Sequence, residues 1–192
     1  MIILATKSPY RKLAIEKMGM DCICDGSNVN ENIAIRPNDP IELVKFLARI
    51  KAENVAQRHD KDIIISFDSI GYFNGQILEK VKSRQEDFER LKQLSGKTHD
   101  FYTGIHMINQ DNGKTLTDYA HTKIFFRKLT DNEINKALDQ NKDELYKKYA
   151  SGYDIQNTLS ASFAERIEGS FHNIMDGLPL EKIVVMLKEI EK

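Results

Sequence analysis

The start of the chain constrains its fold more than any other segment, because it places a short strand directly before a helix. Residues 2–5 form an apolar run, and Ser8-Pro9 follow shortly after it. Serine caps a helix N-terminus well, and proline suits the first helical position. Apolar residues then recur at helical spacing up to a terminating glycine, in Leu13, Ala14, Met18 and Gly19. The chain therefore opens with a strand, a corner and a helix.

The middle of the chain alternates further strands and helices. A strand is predicted at residues 22–24, and a helix after Asp39-Pro40 whose apolar stripe passes close to Lys51. Residues 63–68 are typical of a strand buried on both faces, and Asp68 is predicted to end it. Asn74-Gly75 between two short apolar runs is a strong signal for a two-residue hairpin turn.

The rest of the chain continues the alternation. Capping boxes at Ser83 with Glu86 and at Thr130 with Glu133 predict two more helices. A long hairpin is predicted between them, over residues 99–108 and 116–127 with its turn at Asn112-Gly113. Short strands are expected around residues 152–156 and 163–167, and a terminal helix after Leu178-Pro179. Because helical crossovers and tight hairpins both occur, we predict an α/β fold with a mixed sheet flanked by helices, in a single domain over residues 1–192.

Charge and hydropathy exclude several classes of protein. The chain has 28 Lys+Arg against 29 Asp+Glu, so no overall field would draw it to nucleic acid or to an anionic membrane. It lacks a secretory signal pattern and any run of about 18 apolar residues. Cys22 and Cys24 are expected to be reduced thiols. We therefore expect a cytoplasmic protein whose anion site, if it has one, is local.

The first corner is a candidate anion site. A helix N-terminus offers free amides and the positive end of the helix dipole, and the basic residues Lys7, Arg11 and Lys12 surround Ser8 there. Phosphate would suit such a site. The alternative is a capped helix with a solvated basic first turn, and spacing alone does not decide between the two.

Four further residues have a functional and an ordinary interpretation. Asp68 could bind a divalent metal or accept a proton from water, or it could cap the next turn. Glu31 lies in a polar loop and resembles a solvated acid, whereas Lys51 resembles a lysine at the edge of the core. Lys80 is unremarkable by itself. Common phosphate-loop, dinucleotide and zinc motifs are absent from the sequence.

Taken together, these sites follow an order that resembles the Maf family of nucleoside triphosphate pyrophosphatases. The resemblance extends over nearly the whole chain, and its specificity comes from the order and spacing of the blocks. The blocks are residues 4–11, 30–31, 47–52, 68–69, 77–80, 94–99, 102–104, 150–156 and 177–179. The resemblance implies an elongated, twisted mixed sheet like that of inosine triphosphatases.

The resemblance also implies a reaction and a set of roles. The reaction is hydrolysis of a nucleoside triphosphate between its α and β phosphates, assisted by Mg²⁺ or Mn²⁺. Asp68 would bind metal together with Glu31 and would also accept the proton of the attacking water. The triphosphate would be held by Ser8, Arg11, Lys51 and Lys80. The same resemblance implies a possible homodimer and a role in nucleotide house-cleaning or septum formation.

The base of the substrate stays open at this point, because three residues give a divided signal. Tyr10 before Arg11 resembles the pattern of the branch that hydrolyses 7-methyl-GTP. Gln156 resembles the pattern of the dTTP/UTP branch, but that branch has a threonine at the position of Ser69. A tyrosine could stack on a base or pack against the protein. Val81 also replaces the proline usual after the lysine. These departures also fit an alternative function, in which the protein binds a nucleotide without hydrolysing it and regulates cell division.

Overall fold

The computed structural model describes residues 1–31, 36–140, 149, 151–156 and 158–192. Strands and helices alternate along these residues. The strands are β1 (Ile2–Leu4), β2 (Cys22–Cys24), β3 (Ile63–Phe73), β4 (Gln76–Leu78), β5 (Thr98–Asn109), β6 (Thr115–Phe126) and β7 (Ala164–Gly169). The helices are α1 (Pro9–Lys17), α2 (Pro40–Ala56), α3 (Arg84–Leu94), α4 (Asp131–Gln140), α5 (Phe171–Asp176) and α6 (Leu180–Ile190). None of these described helices has the length and apolar character needed to cross a bilayer.

The seven strands form one sheet in the order β2-β1-β3-β5-β6-β7, and β4 pairs with β3. β1 is parallel to both β2 and β3, as expected for strands joined by helical crossovers. β4 is antiparallel to β3, and β7 is antiparallel to β6. The predicted α/β fold with a mixed sheet flanked by helices is therefore confirmed.

The chain divides into two compact units. Unit 1 comprises Met1–Ser69, Tyr102–Ala120 and Asp176–Lys192, and unit 2 comprises Ile70–Phe101 and His121–Met175. Strands β3, β5 and β6 each contribute residues to both units. That residues 1–192 form a single domain stays a prediction from the sequence.

The core of unit 1 follows from the alternation of side chains along its strands. Ile3 of β1 lies beside Ile64 of β3, and both pack with the α2 residues Ala52 and Val55. The next residues along the two strands, Leu4 and Ile65, point to the other face, because successive strand residues alternate. There they pack in a cluster with residues of α1 and α6, namely Ile15, Ile183, Met186, Leu187 and Ile190. α1 and α2 therefore cover opposite faces of the sheet.

Unit 2 has a core of its own, in which aromatic rings meet edge to face. Phe126 packs against His99, Tyr153 and Phe163, with centroid distances of 4.8, 5.0 and 6.0 Å. His99 Nε2 lies 2.7 Å from the Tyr153 hydroxyl oxygen, so the buried tyrosine has a polar partner. Burial lowers the pKa of His99 to about 4, which keeps its imidazole neutral near pH 7.

The capping boxes and the hairpin turn predicted from local sequence are present in the structure. Ser83 Oγ accepts from the Glu86 amide at 3.1 Å, and the Thr130 and Glu133 side chains accept from each other's amides. Asn74 and Gly75 have φ values of +49° and +79° and form the turn between β3 and β4. Both residues are favoured in this left-handed region, which the right-handed twist of a two-residue hairpin requires.

Two predictions about strands are wrong. β3 does not end at Asp68 but continues to Phe73, because the residues after Asp68 pair with β4. Residues 152–156 do not form a strand, because Gly152 has a φ of +88° and the Asp154 carboxylate accepts from the Gln156 amide at 2.8 Å. Such an Asx turn bends the backbone out of an extended conformation.

Asp87 is a buried carboxyl group in the first turns of α3. It is fully inaccessible to solvent, and neither carboxylate oxygen has a hydrogen-bond partner among the described residues. A Cβ added at Gly152 would collide with Asp87 Oδ1, so the loop at residue 152 packs directly on the carboxyl group. Burial raises the pKa of Asp87 from 3.8 to about 7, although Arg90 opposes the shift.

Replacing Asp87 should therefore change how stability depends on pH. Between about pH 4 and pH 7 the folded wild-type protein keeps a proton that the unfolded chain releases, so its stability falls as pH rises. The slope from this group is at most about 1.4 kcal/mol per pH unit. Asp87→Asn should remove this slope and become more stable relative to wild type as pH rises from 5 to 8.

Urea unfolding of both proteins at several pH values measures this difference. Asp60→Asn, at an exposed carboxylate, is the control and should keep the wild-type slope. Parallel stability curves for wild type and Asp87→Asn would contradict the expectation.

Candidate active site

The corner after β1 is built as the sequence predicts. Ser8 is the N-cap of α1, and its hydroxyl accepts from the Arg11 amide at 3.5 Å. Pro9 occupies the first helical position. The Thr6 hydroxyl accepts from the Ser8 amide at 3.2 Å and stabilises the approach to the helix. The corner is therefore a capped helix N-terminus that carries Arg11 in its first turn.

Arg11 turns its guanidinium towards the protein. Its Nε and Nη1 donate to the carbonyl oxygens of Asp176 and Phe67 at 3.4 and 3.5 Å. Nη2 donates to Ser69 Oγ at 3.3 Å, and the guanidinium carbon lies 5.5 Å from the centroid of the Phe67 ring. Burial lowers the pKa of Arg11, and the carboxylates of Asp68 and Asp176 oppose that shift. Two segments of unit 1, at residues 67–69 and at residue 176, thus contact the cation that α1 carries.

Two residues without an assigned role complete this contact. Thr103 of β5 is fully buried, and its Oγ1 lies 2.8 Å from Ser69 Oγ. Gly177 has a φ of +62°, and a Cβ there would lie 2.7 Å from Ser69 Oγ and 2.9 Å from Arg11 Nη2. Sequence reasoning placed both in blocks of the family resemblance but gave them no function. The glycine directly before Leu178-Pro179 was the only local signal for either.

A second polar group lies around Lys51 of α2. Its ammonium donates to Asp68 Oδ1 at 2.5 Å and lies 3.1 Å from Glu31 Oε1. The side chains of Lys51 and Asp68 are 12% and 9% exposed, whereas that of Glu31 is 51% exposed. Burial raises the pKa of Asp68, and the Lys51 ammonium opposes this rise. The lysine beside the apolar stripe therefore has a buried anionic partner.

β3 connects the two polar groups. Asp68 and Ser69 are consecutive strand residues, so their side chains point to opposite faces, towards α2 and α1 respectively. β1 pairs with β3 only as far as Leu4 and Ile65, and therefore β3 runs past the end of β1 before it reaches Asp68. In open α/β sheets, ligands bind beyond the carboxyl ends of strands. Unit 1 thus gathers Ser8, Arg11, Glu31, Lys51, Asp68 and Ser69 at such an end.

Three other predicted residues have different surroundings. Tyr10 is 63% exposed on the first turn of α1, so its ring does not pack into the core. Lys80 and Gln156 belong to unit 2, where Lys80 is exposed after β4. The Gln156 side-chain amide donates to the Met175 carbonyl oxygen. The roles of these three residues in nucleotide binding stay predictions.

Two residues of this site, Glu31 and Asp68, could contribute carboxylates to a divalent cation. Among the residues that the structure describes, no group of three or more His, Cys, Asp or Glu side chains could hold a metal ion. Glu31 and Asp68 nevertheless bring two carboxylates to the same ammonium nitrogen. Mg²⁺ is commonly bound by one or two carboxylates together with substrate phosphates, because it retains much of its hydration.

Comparison with known proteins identifies the family of this chain. The Maf family model, described as Maf-like protein, matches residues 1–190. The dTTP/UTP pyrophosphatase of Clostridium perfringens strain SM101 is 38% identical over 191 residues, 99% of this chain and 97% of that protein. The dTTP/UTP pyrophosphatase of Pyrococcus furiosus is 39% identical over 190 residues, 99% of this chain and 94% of that protein. The match along almost the whole length shows that the chain belongs to the Maf family.

Proposed function

We propose that this chain is a metal-dependent pyrophosphatase that hydrolyses dTTP or UTP to the nucleoside monophosphate and pyrophosphate. The observation that carries the proposal is the buried contact of Lys51 with Asp68, with Glu31 on the same ammonium. A buried carboxylate next to a cation and a second carboxylate suits a reaction that moves charge between phosphate oxygens. The names of relatives that are 35–39% identical over nearly the full length support the same reaction.

The phosphate-binding part of the proposal involves the first corner and Lys51. The amides at the start of α1 and the Ser8 hydroxyl favour an anion at the helix N-terminus. Arg11 and Lys51 supply fixed positive charge, and the family resemblance assigns Lys80 to triphosphate binding as well. Because cleavage concentrates negative charge on phosphate oxygens, preorganised cations stabilise the transition state more than the ground state.

Asp68 is the proposed proton acceptor for the attacking water. Its burial raises its pKa and makes it a stronger base, while Lys51 favours the ionised form that a base requires. The short contact with Lys51 also holds the carboxylate in one orientation. The side chain therefore orients water and takes its proton, with no covalent intermediate on the protein.

Glu31 and Asp68 would hold Mg²⁺ or Mn²⁺, which would neutralise charge on the phosphate oxygens. Glu31 is half exposed, so its carboxylate remains open to a ligand from solvent. Lys51 keeps the two carboxylates from repelling each other before substrate arrives. These protein groups thus prepare a site that is completed only with substrate phosphates.

We assign the choice of base to Tyr10, Ser69 and Gln156, as the family resemblance implies. The exposed ring of Tyr10 offers a stacking surface next to the phosphate corner. Ser69 already bonds with Arg11 and Thr103, so we assign it an effect on Arg11 and through it on substrate choice. The cytoplasmic compartment expected from the sequence and the possible homodimer implied by the family resemblance are retained as parts of this proposal.

A panel of nucleotides tests the activity. Pyrophosphate release should be highest with dTTP and UTP and much lower with 7-methyl-GTP and unmodified purine triphosphates, and EDTA should abolish it. Preference for 7-methyl-GTP would instead favour the branch indicated by Tyr10. Saturable nucleotide binding in calorimetry without pyrophosphate release would reject the enzyme in favour of the regulator.

Asp68→Asn should lower kcat by at least about 100-fold, since a positioned general base commonly contributes a factor of 10² to 10⁴. The asparagine oxygen can still accept from Lys51, so melting temperature should show a folded protein. Asp21→Asn, at an exposed carboxylate, is the control and should keep the wild-type rate. Wild-type turnover in Asp68→Asn would refute the assigned role.

Gly177→Ala tests the placement of Arg11. The added methyl would press on Ser69 Oγ and Arg11 Nη2, so the nucleotide KM should rise severalfold. Gly113→Ala is a matched control, because its φ of +71° imposes a similar backbone cost while its Cβ would meet no atom within 4 Å. Both variants should lose about 1–2 kcal/mol of stability from the left-handed conformation. Equal KM values in the two variants would count against a role for the contact.

A further inference from the structure

The loop from Asp25 to Glu31 is attached to α2 and to the turn that follows it. The Asn28 amide donates to Asn54 Oδ1 at 3.1 Å. Arg58 forms a bidentate contact with Asp25, in which Nε and Nη2 donate to the two carboxylate oxygens of Asp25 at 2.9 and 2.8 Å. Glu31, the last residue described in this stretch, contacts Lys51 through its carboxylate at 3.1 Å.

The three residues that receive the loop are spaced for one side of a helix. Lys51, Asn54 and Arg58 are separated by three and four positions, the spacing that brings side chains into one row. Arg58 lies just after α2, and its amide donates to the Val55 carbonyl oxygen at 3.0 Å. Its Nη1 also donates to the Asn54 carbonyl and side-chain oxygens at 3.2 and 3.4 Å. Asn54 and Arg58 are thus linked to each other as well as to the loop.

Further contacts restrain the beginning of the loop. Arg58 Nη2 donates to the Gly26 carbonyl oxygen at 3.3 Å, and His59 Nε2 lies 3.0 Å from Asp25 Oδ2. The side chain of Lys7 packs where a Cβ of Gly26 would lie. The hydrogen bond from Arg58 lowers the pKa of Asp25, so its carboxylate stays charged at neutral pH.

Glu31 is restrained by the attached loop as well as by its contact with Lys51. The Glu31 side chain is 51% exposed, against 12% for Lys51, so solvent weakens this ion pair relative to a fully buried one. Ordering the loop before substrate binds reduces the conformational entropy lost in the complex. Contacts at Asn28 and Asp25 can provide that order without touching substrate.

We propose that Asn54 and Arg58 are positioning residues that hold the loop at residues 25–31 so that Glu31 stays beside Lys51 and Asp68. They act through the loop and contact neither nucleotide nor metal. The inference rests on the proposed function in one respect, that Glu31 binds the divalent cation. The attachment of the loop itself is independent of that activity.

Amide hydrogen exchange tests the attachment without turnover. Asn54→Ala removes the acceptor of the Asn28 amide and should speed its exchange at least about tenfold, while Arg58→Met should speed it severalfold. Arg58→Lys retains the charge but not the bidentate geometry, so it should recover part of the protection. Arg49→Met is the control, because Arg49 lies exposed on α2 and pairs with Glu53 at 3.8 Å. Unchanged exchange at Asn28 in Asn54→Ala would overturn the proposal.

Mn²⁺ then tests the consequence for Glu31. Bound Mn²⁺ broadens the NMR signals of nearby amides. We expect the Mn²⁺ concentration that halves the intensity of the Glu31 amide signal to rise severalfold in the Asn54→Ala, Arg58→Met double variant. The Mn²⁺ concentration for half-maximal turnover should rise by the same factor, with kcat at saturating Mn²⁺ and nucleotide within about twofold of wild type. A freed loop with unchanged Mn²⁺ dependence would refute the positioning role.

The outcomes also separate this inference from the proposed function. A wild-type protein without turnover, but with the expected shifts in exchange and Mn²⁺ broadening, would reject the enzyme and leave the positioning role supported. Turnover with normal Mn²⁺ dependence in the double variant would support the enzyme and reject the positioning role.

Discussion

The contact of Lys51 with Asp68 is the interaction on which the candidate site depends. Both side chains are nearly buried, and each charge compensates for the solvation that the other has lost. Removing one partner from a buried pair typically costs about 3–5 kcal/mol, because it leaves an uncompensated charge inside the protein. α2 must therefore pack against β3 in one register, and the same packing brings the side chain of Lys51 to both carboxylates.

Strand alternation explains how one strand serves two groups of residues. Ile64 and Ile65 already divide between the clusters of α2 and α1, and Asp68 and Ser69 extend that division towards the carboxyl end of unit 1. β1 stops before these positions, so the two polar side chains lie beyond its carboxyl end, where open α/β sheets bind ligands. The ending of a three-residue strand is thus as important for the site as the polar residues themselves.

Sequence patterns correctly predicted the helix caps and turns that depend on neighbouring residues in the chain. The Ser8 cap, the Asn74-Gly75 turn and the capping boxes each depend on residues within a few positions, and all formed as expected. The end of β3 was misplaced, because its continuation depends on pairing with β4. Thr103 and Gly177 received no role, since their contact with Ser69 joins segments far apart in the chain. Periodicity contains no information about such distant partners, and the family resemblance assigned roles to other site residues but none to Thr103 or Gly177.

Under the proposed function, in which Arg11 holds the triphosphate, Arg11 would link ligand binding to the folding of unit 1. Its guanidinium joins the first helix to the Phe67 carbonyl, the Ser69 hydroxyl and the Asp176 carbonyl through hydrogen bonds of 3.3–3.5 Å, which are long and individually weak. An anion that binds Arg11 only in the folded state would stabilise all these segments together, by RT ln(1 + [L]/Kd). The folded state would then be more stable in a cell with a high nucleotide concentration than in one with a low concentration. Substrate supply would therefore influence how long each copy survives proteolysis.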